Sequence, residues 1–203
     1  MRNKIALLFA ILVWFAVIAQ LVLMINNRKA PIGETIIRFF TFFTILTNII
    51  VAVYLTAQSF RSKRFTAPGT LTAVTVYITI VGLVYQVILR PLWSPTGLQK
   101  IVDELLHTIN PLLIILFWYL FEEKRKVKYW QIIGWLLYPV VYVIYVFIRG
   151  NISGFYPYPF INVPEIGFAK AATNSLFLFL FFIAASFIYI LIGHLISGRV
   201  KTR

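Results

Sequence analysis

The chain has 203 residues, of which 61% are hydrophobic, 17% are aromatic and only 12% are charged, and its mean hydropathy is +0.88. Because soluble domains contain about 25% charged residues, this composition excludes an ordinary soluble protein and predicts an integral membrane protein. The net charge of +13 comes from short basic segments between apolar runs. That arrangement is typical of membrane-protein loops and argues against a nucleic-acid partner.

The chain contains no cysteine, and its two histidines, His107 and His194, lie far apart in the sequence. The missing thiols exclude disulfides, thiolate catalysis and cysteine-ligated metals. We therefore expect neither a metal site nor a cofactor.

Six apolar segments are predicted to be membrane spans. They lie at roughly 5–25, 36–58, 70–91, 97–121, 129–148 and 172–196. The first follows "MRNK" like a signal peptide, but its apolar run is too long and no small-residue cleavage site follows, so we expect it to be retained. Its length corresponds to about 31 Å of helix, which matches one bilayer core. The prediction is an all-α, polytopic fold in which residues 1–203 form a single domain of six transmembrane helices.

The basic residues indicate the orientation of these spans. Twelve of the 19 Lys and Arg residues lie at the N-terminus, in the second and fourth loops and in the tail, which all fall on one side. The loop "EEKRKVK", residues 122–128, is the most decisive. Since cytoplasmic loops are enriched in Lys and Arg, both termini are predicted to be cytoplasmic.

The second span contains an unusual polar stretch, "FFTFFTILTN", at residues 39–48. Thr41, Thr44 and Asn48 are spaced i, i+3, i+7 and therefore share one helix face. Thr47 and Thr41 are expected mainly to bond carbonyls of their own helix. Asn48 is either a helix–helix hydrogen bond or a polar partner in a site.

The third span carries Gln86 and Arg90, which are spaced i, i+4 near its predicted outer end. Both side chains are therefore on one face. They are candidates for binding a substrate carboxylate or headgroup.

The fourth span places Asp103, His107, Asn110 and Pro111 on one face, and the i, i+4 spacing lets the Asp103 carboxylate reach the His107 imidazole. Pro111 is expected to kink this helix. By residue count, Thr44 lies about 12 Å and His107 about 15 Å below the outer surface, so the two are predicted at similar depth.

A hydroxyl, a histidine and a carboxylate together supply the groups needed for nucleophilic acyl transfer. The histidine takes the hydroxyl proton, the carboxylate orients the histidine, and amide, Asn or Tyr donors hold the oxyanion. Asn48 and Asn110 are candidate polar partners that bind the substrate. The alternative is that Asp103 and His107 form a buried pair that only holds helices together. Ionisable groups within membrane spans are costly and mark functional sites by default.

Three short motifs resemble one known family, in the order "FFTILTN", "DELLHTINP" and "YPYPF". The chain resembles the androgen-induced and androgen-dependent integral membrane proteins and their shorter bacterial relatives, over most of its length. In that family the eukaryotic members are intramembrane threonine hydrolases that cleave fatty acid esters of hydroxy fatty acids. The resemblance implies a lipid-ester hydrolase in a bacterial cell membrane, with a fatty acid ester as its substrate.

Carried onto this chain, the resemblance implies that Thr44 is the nucleophile and His107 the base, with Thr41 as a weaker match to the same motif. It also matches Tyr158 to the Tyr-Pro-Phe segment of the family, here a candidate for substrate binding in the loop 151–168. The spacing from His107 to Pro111 is four residues where the eukaryotic pattern has five. Asp103 and Asn48 are closer to the bacterial branch, so the fold transfers more directly than the activity.

Two other functions remain open at the level of sequence. A transporter for a proton or small solute would need polar residues through the whole membrane, whereas the inner halves of the second and fourth spans read "IIVAVYL" and "LLIILFWYL". A non-enzymatic receptor or scaffold would need the Asp103–His107 pair only for folding. The physiological ester, partner proteins and oligomeric state are not determined by the sequence.

Overall fold

The computed structural model describes residues 1–62 and 65–199, and this part of the chain is helical without any strand. Five of the described helices are long and apolar enough to cross a membrane, and a bent pair of shorter helices provides a sixth candidate span. These findings confirm the predicted all-helical, multi-span class of fold.

The described helices fall into two compact units, Met1–Lys126 and Val127–Arg203. The helices of the first unit are α1 (Arg2–Asn26), α2 (Ile32–Phe39), α3 (Phe43–Ser59), α4 (Thr70–Val84), α5 (Gly97–Glu104) and α6 (Asn110–Phe121). Those of the second unit are α7 (Ile132–Trp135), α8 (Leu137–Ser153), α9 (Val163–Ile166) and α10 (Phe168–Arg199). Whether they act as a single domain stays a prediction.

The predicted second span is broken rather than continuous. Helices α2 and α3 meet at an angle of 69° around residues 40–42. Thr41 is buried at the break, and its hydroxyl donates to the Ile37 carbonyl at 2.8 Å. Such back-bonding bends helices, and Phe42 then adopts an extended backbone before α3 begins. The polar stretch of this span therefore lies at a helix break.

Small residues allow α1 to lie close to α3. The buried residues of α1 are Ala6, Ala10, Val13, Ala16 and Val17. Small side chains at such helical spacing let two helix backbones approach each other, as is common in membranes. Near the middle of the unit, Ala16 and Val17 join a buried apolar cluster with Phe39, Val102 and Leu106. This cluster ties α1 and the helix break to the helix that carries His107.

The third and fourth predicted spans both change from α-helical to π-helical geometry. Helix α4 continues into a π turn at Tyr85–Leu89, and α5 continues into another at Leu105–Ile109, after which α6 starts. In the second turn the Asn110 N–H bonds the Leu105 carbonyl five residues back. Pro111 follows and has no N–H to restore the α pattern. The irregularity expected from Pro111 is thus present as a π turn before it.

A carboxylate joins the end of α6 to the start of α4. Glu122 accepts hydrogen bonds from the Thr72 N–H at 2.8 Å and the Thr72 hydroxyl at 2.9 Å, and from the Gly69 N–H at 3.4 Å. The Trp118 indole donates to the same hydroxyl at 3.0 Å. A negative charge at a helix N-terminus also interacts favourably with the helix dipole. Glu122 therefore fixes one end of the α4–α6 pair.

Glu122→Ala is expected to lower the free energy of unfolding by about 1–3 kcal/mol, because it leaves the first turn of α4 without its acceptor. Thermal unfolding of the purified protein in detergent measures the effect. The matched control is Glu123→Ala, since Glu123 pairs at 2.6 Å with Lys126 at an exposed position and is expected to leave the midpoint unchanged. Equal midpoints for the two variants would contradict the role of Glu122.

The second unit contains the aromatic loop between α8 and α10. Helix α8 runs through Gly150 to Ser153. A Cβ atom at Gly150 would overlap the Tyr156 ring, so glycine is needed for the loop to pack there. The loop is ordered through a short helical turn at Pro159–Ile161, where the Phe160 carbonyl accepts a bond from Asn174 at 2.7 Å.

Candidate active site

Three buried or nearly buried side chains meet in the first unit: Tyr85 from the first π turn, Asp103 from the end of α5 and His107 from the second π turn. The Tyr85 hydroxyl donates to Oδ2 of Asp103, and Oδ1 of Asp103 lies 3.3 Å from Nδ1 of His107. The Tyr85 and His107 rings stack with centroids 4.0 Å apart and an interplanar angle of 13°. The Asp103 and His107 side chains are only 9% and 11% exposed. The contact predicted from the i, i+4 spacing is therefore present, with Tyr85 as an additional member.

The surroundings of His107 determine which ring nitrogen carries the proton of the neutral form. Nδ1 lies 2.9 Å from the Asp103 carbonyl oxygen and also faces the Asp103 carboxylate. A carbonyl oxygen can only accept a hydrogen bond, so Nδ1 must be the donor. Nε2 then has the free lone pair, and among the described residues it has no hydrogen-bond partner. A histidine held in this way is arranged to accept a proton at Nε2.

Four polar side chains form a closed hydrogen-bonded ring beside this cluster, which we call the rim ring (Gln86, Arg90, Glu104 and Thr108). Arg90 bonds Oε1 of Gln86 at 2.6 Å and also pairs with Glu104. Gln86 Nε2 donates to the Thr108 hydroxyl at 2.8 Å, which donates to Glu104 at 2.7 Å. The ring fastens the end of the third span to the fourth.

Two buried asparagines connect α3 to the helix that carries His107. Nδ2 of Asn48 donates to the Thr44 carbonyl at 2.8 Å and to the Leu106 carbonyl at 3.3 Å. Nδ2 of Asn110 donates to Oδ1 of Asn48 at 2.8 Å. The regular α-helical donor for Leu106, the Asn110 N–H, bonds Leu105 instead, so Asn48 satisfies a carbonyl that the π turn leaves available. Asn48 and Asn110 thus hold the two helices together.

One atom of this bridge has no protein partner. Oδ1 of Asn110 is buried and accepts no hydrogen bond from a described residue. A buried acceptor of this kind costs free energy unless water or another donor satisfies it. The bridge is therefore sensitive to substitution at either asparagine.

Gly82 allows α4 to lie against the second π turn. A Cβ atom at this position would be 3.1 Å from the His107 carbonyl oxygen and 3.3 Å from Cγ of Pro111. Both distances are shorter than ordinary van der Waals contact, so a side chain here would push the π turn away.

The structure places the other predicted site residues as follows. Thr44 is buried in the first turn of α3, just after the helix break, and Asn48 connects its carbonyl to that of Leu106, next to His107. The described hydrogen bonds of His107 run only to Asp103. Thr41 is buried before the break. Tyr158 lies in the second unit, where its ring stacks on Phe160 at 5.2 Å.

Sequence reasoning missed Tyr85 and Thr108. A single tyrosine within an apolar run gives no periodic pattern, and Thr108 was indistinguishable from threonines that bond their own helix. The available signal was position in the sequence next to a candidate site residue. Tyr85 immediately precedes Gln86, and Thr108 immediately follows His107.

Comparison with known proteins gives no assignment of family. No protein-family model, no curated protein and no solved structure matches the chain. A function for the chain therefore has to be inferred from the geometry of the site.

Asn48→Ala is expected to cost about 1–3 kcal/mol of unfolding free energy, because it removes the donor to Leu106 and the acceptor for Asn110. A double-mutant cycle with Asn110→Ala should give a coupling of about 0.6–1.7 kcal/mol, the range of interhelical hydrogen bonds in membranes. A cycle of Asn48→Ala with Asn174→Ala, in the second unit, should be additive. Additivity in the first cycle would mean that the asparagine bridge does not form.

Gly82→Ala is expected to lower the thermal midpoint, although alanine is the better helix former by about 1 kcal/mol. The reason is the clash of its Cβ atom with the His107 carbonyl. Gly134→Ala is the control, because a Cβ atom there meets nothing within 4 Å and should leave stability equal or higher. A midpoint raised equally in both variants would show that α4 is not in close contact with the π turn.

Proposed function

We propose that the chain is an intramembrane hydrolase of lipid esters, with Thr44 as nucleophile and His107 as general base. One observation carries the proposal, namely a nearly buried imidazole that Asp103 holds at Nδ1 while Nε2 remains available. An Asp–His pair with this little exposure is costly in an apolar helix pair, and a role in proton transfer accounts for it. The resemblance to intramembrane threonine hydrolases supports the same two residues.

The reaction follows the chemistry of acyl transfer. Oγ1 of Thr44 attacks the ester carbonyl carbon while Nε2 of His107 takes the hydroxyl proton, giving a tetrahedral intermediate. Its collapse breaks the ester C–O bond, and the leaving alcohol receives the proton from His107. Water then attacks the acyl-threonine, with His107 again accepting and returning a proton.

The other residues of the cluster position His107. Asp103 orients the imidazole and stabilises its protonated form. Tyr85 anchors the far oxygen of the same carboxylate and covers one face of the ring, which keeps the carboxylate aimed at Nδ1. Asn48 and Asn110 hold the helix that carries Thr44 beside the helix that carries His107.

The finer topology belongs to the same proposal. In the proposed topology the chain has six spans and both termini are cytoplasmic. The cluster then lies in the outer half of a bacterial cell membrane, and an acyl chain enters from the lipid. Support comes from the bias of Lys and Arg among the loops and from the bent pair α2–α3 as the second span.

The proposal predicts covalent labelling of Thr44 by a fluorophosphonate probe in detergent-solubilised protein. The Thr44 oxygen displaces fluoride from phosphorus, and mass spectrometry locates the adduct. His107→Ala should slow labelling about 100-fold or more, the contribution of a general base. Thr44→Ala should abolish both the adduct and the hydrolysis of a fatty acid ester.

Thr41→Ala is the matched control, since it removes an equally buried hydroxyl three residues earlier. It is expected to keep the Thr44 adduct. An adduct on Thr41 would reassign the nucleophile, and a well-folded protein that neither reacts with the probe nor cleaves esters would contradict the proposed function.

A further inference from the structure

The rim ring lies directly beside the proposed catalytic cluster. Gln86 follows Tyr85, Glu104 follows Asp103 and Thr108 follows His107, so the two groups share both π-helical regions. The side chain of Arg90 is 47% exposed and that of Glu104 is 30% exposed. A substrate that reaches the cluster from this side therefore meets the ring first.

The ring contains one cation and one anion, and they are paired with each other. Arg90 donates to Glu104 and Gln86, and Glu104 accepts from both Arg90 and Thr108. The amide oxygen and the amide nitrogen of Gln86 both have partners within the ring. The guanidinium charge of Arg90 is consequently compensated before any ligand arrives.

This pairing affects ligands differently according to their charge. A carboxylate that binds Arg90 has to displace Glu104, which stays nearby because Thr108 also holds it, and the two negative charges then repel each other. An uncharged ester or hydroxyl group does not meet this repulsion. It can accept a hydrogen bond from the exposed part of the guanidinium without breaking the ion pair.

We propose that Glu104 makes this site selective for uncharged acyl esters over acyl esters that carry a free carboxylate. The proposal rests on the proposed hydrolase function, and it replaces the sequence-based expectation that Arg90 and Gln86 receive a substrate carboxylate. Glu104 is then a specificity-determining residue rather than a catalytic one.

The test compares two photoreactive fatty acyl esters that differ only at the end of the alcohol portion, one with a free carboxylate and one with its methyl ester. Each is incorporated at equal mole fraction into nanodiscs that contain the protein. The buffer keeps the carboxylate ionised. Crosslinks are mapped to residues 85–108 by mass spectrometry, and the ratio of methyl-ester to carboxylate crosslinking is the readout.

The wild-type protein is expected to favour the methyl ester. Glu104→Gln keeps an acceptor for Thr108 but leaves the Arg90 charge uncompensated, so the ratio should fall about tenfold, equivalent to about 1.4 kcal/mol. Arg90→Gln should leave the ratio unchanged or raise it. The double variant, which is again neutral, should return the ratio close to that of the wild type.

Three results would overturn the proposal: a wild-type preference for the carboxylate probe, a ratio that Glu104→Gln does not change, or no crosslink of either probe in this segment. Since crosslinking requires no turnover, failure of Thr44 labelling together with the expected ratios would contradict the hydrolase and leave the selectivity of the ring intact.

Discussion

The buried carboxylate of Asp103 is the feature on which the first unit depends. An ionisable side chain within a membrane helix is costly, up to about 2.5–3.5 kcal/mol at the helix centre on the insertion scale, and such groups usually have partners. The Tyr85 hydroxyl, from the neighbouring span, donates to one of its oxygens, and Nδ1 of His107, from its own helix, lies 3.3 Å from the other. Each of these three side chains therefore limits where the other two can lie. The rigidity that this gives the imidazole is also what a general base requires.

The unit departs from α geometry where these groups meet. The π turns at Tyr85–Leu89 and Leu105–Ile109 occur at the cluster, and such turns are often found at functional sites. In the second turn a backbone N–H bonds a different carbonyl from its regular α-helical acceptor. Asn48 from α3 donates to the Leu106 carbonyl, which thereby lost its regular donor. The departures in backbone geometry are thus matched by side-chain hydrogen bonds from neighbouring helices.

Hydropathy predicted the fourth span at 97–121, and the structure has it at Gly97–Phe121, because a long apolar run is a local property of the chain. The Asp103–His107 contact was also predictable, since both residues belong to one helix and their spacing fixes their face. The break at residues 40–42, the π turns and the role of Tyr85 were not predictable from spacing. They depend on contacts between helices, and the period of a regular helix gives no information about such contacts.

The measurement that tests the arrangement around Asp103 most directly is ¹⁵N NMR of the two histidine rings in the full-length protein near neutral pH, with His107→Gln to assign the signals. His107 should be the tautomer with its proton on Nδ1, facing Asp103, and with a bare Nε2. His194 should be the opposite tautomer, since its Nε2 lies 2.9 Å from the Val127 carbonyl oxygen. A His107 ring protonated at Nε2 with a bare Nδ1 would contradict the account, because Asp103 would then not hold the imidazole and Nε2 would have no lone pair for the proton of Thr44.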